Sequence, residues 1–93
     1  MGRWFWVHAK SDCEYCADAV RLLNKLGFQY VLSFYDRAPY VLEAYKKSWD
    51  HNTVPVIIEY KQVGEPSLVG GYDDLVEYLT DLGFMSDETQ QKE

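Results

Sequence analysis

Residues 3–34, RWFWVHAKSDCEYCADAVRLLNKLGFQYVLSF, decide the fold of this 93-residue chain. Residues 3–8 are aromatic and branched with little polar alternation, the pattern of an interior strand covered on both faces. Ser11 and Asp12 offer side-chain oxygens to a helix start, and Ser11-x-x-Glu14 has the spacing of a capping box. The following segment places Cys16, Val20, Leu23 and Leu26 on one helical stripe, and Gly27 supplies the stop. Residues 28–34 alternate as a second strand. Strand, crossover helix and strand within about thirty residues make a βαβ unit, so the two strands are expected to be parallel.

Downstream, Asp36–Pro39 reads as a turn, with Pro39 suited to the first turn of a second helix. That helix carries Val41, Leu42, Tyr45 and Trp49 on its apolar side, and Asp50-His51-Asn52 breaks it. Val54–Tyr60 is expected as a third strand, and Ser67–Val69 as a short antiparallel return after a turn around Gly64. Tyr72–Leu82 forms the last helix, with Leu75, Leu79 and Leu82 inward. The order β-α-β-α-β-β-α predicts an α/β three-layer sandwich around a four-stranded mixed sheet. Residues 1–84 form the domain, and residues 85–93 a polar C-terminal tail expected to fray.

A net charge of −6 with nine scattered cations, adjacent only at Lys46-Lys47, argues against nucleic-acid binding, which needs clustered positive charge. The same balance disfavours a membrane surface, and no run approaches the roughly twenty apolar residues of a spanning helix. Trp4–Val7 is too short for a signal peptide, so a cytoplasmic location is expected. The chain is expected to be a monomer.

The two cysteines of the chain lie three residues apart, at Cys13 and Cys16. At a helix start, unsatisfied N–H groups and the helix dipole stabilise a thiolate at Cys13. Cys16, one turn along the inner face, is placed to resolve a mixed disulfide. Lys10 adds positive charge nearby, and Glu14 opposes it. A structural disulfide here would close a tiny loop and remove little unfolded-state entropy. A zinc site would need His8 and His51 as further ligands, without finger-like spacing. Two inert buried cysteines fit poorly at a polar, capped helix start, so redox work is the favoured reading. His8 and His51 read as structural, and the abundant tyrosines and tryptophans as core filling.

Pro55 stands inside an apolar run that resembles a central strand, where proline is out of place. A cis Val54–Pro55 bond at the strand's start accounts for it economically; a trans proline at a strand edge is the alternative. Gly70-Gly71 allows close backbone approach, and Tyr72-Asp73-Asp74 opens a fresh helix N-terminus able to bind an anion. Asp73 and Asp74 taken alone would read as ordinary charge at a helix start.

Together, Lys10-x-x-Cys13-x-Tyr15-Cys16, Thr53-Val54-Pro55 and Gly70-Gly71-Tyr72-Asp73-Asp74 resemble, in order and spacing, a dithiol glutaredoxin across residues 3–83. The resemblance implies a thioredoxin-like fold and glutathione-dependent exchange with protein disulfides or glutathionylated proteins. It makes Cys13 the nucleophile and Cys16 the resolving thiol. It assigns glutathione binding to Lys10, Tyr15, Thr53, Val54 and Pro55, and to Gly71, Tyr72, Asp73 and Asp74. Arg37, Lys46 or Lys47 would be the cation for the glycine carboxylate. Glu14 departs from the proline of the commonest glutaredoxin motif. Similar non-proline members include dimers bridging a [2Fe–2S] cluster through Cys13-equivalent thiols and glutathione. Others with different CxxC interiors are electron donors to ribonucleotide reductase, reduced by thioredoxin reductase. Both stand as alternatives.

Overall fold

The computed structural model describes residues 2–85; residues 86–93 of the expected tail lie outside them, as does Met1. Seven elements follow in the expected order: β1 (Trp4–Ala9), α1 (Glu14–Leu26), β2 (Gln29–Phe34), α2 (Pro39–Ser48), β3 (Val56–Tyr60), β4 (Ser67–Gly70) and α3 (Tyr72–Asp81). The sheet order is β2-β1-β3-β4. β1 pairs β2 in parallel, as the βαβ reading requires, and β3 antiparallel; β4 returns antiparallel on β3.

Interior β1 is covered on both faces. Phe5, Val7 and Ala9 join Cys16, Ala19, Leu23, Leu75 and Leu79 in one core beneath α1 and α3. Leu42 of α2 closes a smaller core on Val56 and Ile58 across the sheet. These are the three layers, and both cores stand on removal of apolar area from water. The alternate residues Trp4, Trp6 and His8 face α2 as an aromatic column: Trp4 stacks on Tyr60 at 4.3 Å and His8 on Tyr45 at 4.1 Å. At the far end of β3, buried Glu59 is held by Arg3 and by the Tyr78 hydroxyl, each at 2.6 Å.

Several expected boundaries shift for local reasons. β1 begins at Trp4 and runs through Ala9 because its ladder with β2 extends from Trp4↔Gln29 to Ala9↔Phe34. β3 begins at Val56, since Pro55 brings no amide to a ladder; the Val54–Pro55 bond is cis. The expected cap of α1 is corrected. Neither Ser11 nor Asp12 caps it, and no Ser11–Glu14 box forms; Cys13 is the N-cap. Ser11 instead gives its amide (3.0 Å) and its hydroxyl to Asp36, tying the turn before α1 to the end of β2. Asp50 enters the left-handed region at φ 55°, which ends α2 where the break was expected. Leu82, expected inward, is 44% exposed: α3 stops at Asp81, and Leu82 is its C-cap.

Candidate active site

The site gathers at the C-terminal end of β1, where the chain turns into α1. Cys13 has extended backbone (φ −110°, ψ 114°), and its Sγ accepts the Cys16 amide at 3.1 Å. The thiol therefore fills the position that Ser, Thr or Asp usually takes at a helix N-cap. Cys13 is half-buried and Cys16 is 2% exposed; both are free thiols. Burial, then the hydrogen bond with Cys13, pushes the Cys16 thiol up to about 12. The two sulfurs are thus chemically unequal: Cys13 Sγ is half-buried and accepts the Cys16 amide, and the Cys16 thiol is kept protonated in the core.

Cys13 Sγ lies 4.0 Å from the Val54 carbonyl oxygen, at the outer limit of a sulfur hydrogen bond. That contact brings the cis Val54–Pro55 segment to the thiol across 41 residues of chain. Val54 packs beneath against both cores. Thr53 Oγ1 and His51 Nε2 are 3.3 Å apart. Gly71 lies beside the Pro55 carbonyl and the His51 ring, where a Cβ would stand 3.8 Å from each. Tyr15, 60% exposed on the first turn of α1, pairs with Tyr72 of α3 at 6.3 Å between ring centroids. Burial, then the Asp18 and Asp73 carboxylates, raises the Tyr72 phenol. Three motifs distant in sequence are thus linked by contacts: Cys13 with Val54, Pro55 with Gly71, and Tyr15 with Tyr72.

The two acidic residues at the start of α3 have different surroundings. Asp74 Oδ2 accepts the Gly71 amide at 2.9 Å, so this carboxylate caps its own helix. Gly70 is required there, because it holds φ +119° and a Cβ would run into the Asp74 carboxylate. Asp73 is exposed at the helix start. Lys10 is exposed just beyond β1 and lines a pocket with Cys13 and Cys16. Of the helix-two cations, Lys46 is bonded to Glu43 at 3.0 Å.

His8, read as structural, is enclosed: it is 1% exposed, its Nδ1 is 2.8 Å from the Tyr35 hydroxyl, and burial lowers it to about 4. Sequence reasoning missed two features here. One is the capping role of Cys13, hidden because Ser11 and Asp12 are better caps by residue type. The other is the approach of His51 to Thr53 and Gly71, for which the sequence carries no signal. Among the described residues no three His, Cys, Asp or Glu side chains gather at a metal-sized site. Of the two thiols, Cys13 is the one that a cluster bridged between two monomers by such thiols and glutathione would use, since Cys16 is enclosed.

Comparison with known proteins places this geometry in a family. The family model described as Glutaredoxin matches residues 6–62. No curated protein sequence matches the chain. Among solved structures, the buckwheat glutaredoxin–glutathione complex is similar at TM-score 0.69 and 23% identity, covering 86% of this chain and 71% of that one. A mutated buckwheat glutaredoxin gives 0.70 at 22% identity, with the same coverage of 86% and 71%. Wheat glutaredoxin gives 0.66 at 23%, covering 85% and 70%. At these identities the structural likeness speaks for the fold, while the family model, matching more than half the chain, speaks for descent. The chain belongs to the glutaredoxin family.

Proposed function

We propose that this protein is a glutathione-dependent thiol–disulfide oxidoreductase acting through Cys13 and Cys16. Its family and fold are those of thiol–disulfide oxidoreductases. The observation that carries the reading is the placement of Cys13 Sγ, capped by the Cys16 amide and facing the Val54 carbonyl. An extended peptide such as glutathione would pair with the backbone at Thr53-Val54 and set its own sulfur near Cys13. Its γ-glutamyl end would reach the N-terminus of α3 at Tyr72-Asp73, where backbone N–H groups suit a carboxylate and Asp73 an ammonium. Tyr15 and Lys10 would border it on the α1 side, and Asp74 would act by holding the helix start. The buckwheat relative solved with glutathione supports that ligand class.

In the exchange, the Cys13 thiolate attacks the glutathione sulfur of a mixed disulfide. The old S–S bond breaks, the client leaves as a thiolate that takes a proton from water, and Cys13 is left disulfide-bonded to glutathione. A second glutathione thiolate attacks the bound glutathione sulfur, releasing glutathione disulfide and the Cys13 thiolate. With a protein disulfide, Cys16 instead attacks Cys13 Sγ. Its proton passes to the departing client thiolate, and two glutathiones later reduce the Cys13–Cys16 bond. We place this activity in the cytoplasm, where glutathione keeps thiols reduced.

The test is turnover of the mixed disulfide of glutathione and β-mercaptoethanol, coupled to glutathione reductase or to thioredoxin reductase. The expected result is rapid turnover with the glutathione system, none in Cys13→Ser, and retained turnover in Cys16→Ser. Preference for thioredoxin reductase would overturn the glutathione assignment in favour of a dedicated electron donor.

A further inference from the structure

A pocket of about 280 Å³ opens between α1 and the edge strand β2, and both thiol-bearing residues line it. Its walls are largely apolar: Ala17 and Val20 from α1, Leu32 and Phe34 from β2. Thr53, Val54, Pro55, Tyr72 and Asp73 do not line it, so apart from Cys13 and Lys10 it shares no residue with the groove assigned to glutathione. Phe34 is 55% exposed, a large apolar ring left open at the end of an edge strand. Lys10 and Arg21 stand on the lining as its cations, Arg21 already paired with Asp18.

The occupant follows from this chemistry. Glutathione consists of glutamate, cysteine and glycine and has no apolar side chain to fill such a recess. A peptide disulfide-bonded to Cys13 keeps its next residues within a few ångströms of the sulfur, at about 3.3–3.6 Å of reach per residue. We propose that the pocket is a subsite for the client protein, taking a bulky apolar side chain next to the client's exchanging cysteine, with a neighbouring carboxylate set against Lys10. Burying a Leu-sized side chain favours the bound form by roughly tenfold or more. The carboxylate adds a smaller, salt-sensitive preference. The proposal rests on Cys13 being the attacking thiol and is independent of glutathione as reductant.

The test uses the full chain with Cys16→Ser, in which a Cys13 adduct persists. Symmetrical disulfides of short peptides containing Cys-Leu-Glu, Cys-Gly-Glu or Cys-Leu-Lys are equilibrated pairwise with the protein and their thiols. The Cys13 thiolate forms a new S–S bond to one peptide as the old S–S bond breaks and the other peptide leaves as a thiolate. Adduct ratios are read by intact mass. The expected Leu-Glu adduct exceeds the Gly-Glu adduct by about tenfold and the Leu-Lys adduct by about threefold at low salt. Phe34→Ser, which opens the pocket, and Ala17→Leu, which fills it, should each bring the Leu/Gly ratio to about twofold or less. A Leu/Gly ratio near one, or one unchanged in both variants, overturns the subsite. A Leu-Lys adduct equal to the Leu-Glu adduct removes the carboxylate from it. Preserved adduct preferences without turnover of glutathione mixed disulfides would instead count against glutathione as co-substrate.

Discussion

The sulfur of Cys13 caps the helix that carries Cys16, accepting the Cys16 amide hydrogen at 3.1 Å. One atom thus satisfies one of the free N–H groups of the helix start and, in the function proposed above, also serves as the nucleophile. The half-buried sulfur lies at the helix start and the second sulfur lies behind it in the core, which supports the proposed order of attack.

Separating the two tasks is the first prediction. Cys13→Ser keeps a capping oxygen and should match the wild type in denaturant unfolding, while Cys13→Ala should fall below Cys13→Ser by about 1 kcal/mol. Both should lose exchange completely. Equal stability of the wild type and the Ala variant would show that the sulfur contributes nothing as a cap.

Burial of Cys16 yields the second. With its thiol pushed up to about 12, Cys16 stays protonated near pH 8, and iodoacetamide should add one equivalent, at Cys13, by peptide mapping. The second equivalent should appear only on unfolding. Because this group's folded value lies above its unfolded one, its contribution to stability is complete below about pH 9 and is lost as pH rises toward about 12. A Cys16→Ala variant should show a flatter loss of stability over that alkaline range.

His8 gives the third. Its folded value of about 4 lies below the ordinary 6.5, so between those pH values the unfolded chain binds more protons than the folded one. Stability from neutral His8 is therefore complete above about pH 6.5 and declines as pH falls toward about 4, by on the order of 3 kcal/mol. Urea midpoints across this range, compared with those of His8→Phe, isolate the effect from the carboxylates that titrate nearby. Parallel pH curves for the two proteins would show that His8 is not held neutral.

The layers were legible in the sequence, and so were the residue types that make up the candidate site. Hydrophobic period, glycine stops and Pro39 placed the seven elements, because local backbone preference and side-chain periodicity act within a few residues. Cys13 and Cys16, the oddly placed Pro55 and the Gly70-Gly71 pair were visible as residue types that ordinary strands and helices do not need. Which of these groups touch was not legible there. Ser11 outranks Cys13 as a cap on local grounds, yet Asp36, 25 residues away, takes the Ser11 amide and hydroxyl and leaves the helix start to the sulfur. Asp73 and Asp74 are indistinguishable in sequence, and they separate because the close approach at Gly70-Gly71 binds Asp74 to the Gly71 amide. The recess beside Cys13 belongs jointly to α1 and to the edge strand β2, so no local pattern announces it. Such partners are chosen by the packing of the whole chain, where each donor and each apolar surface is satisfied by whatever the fold brings within reach.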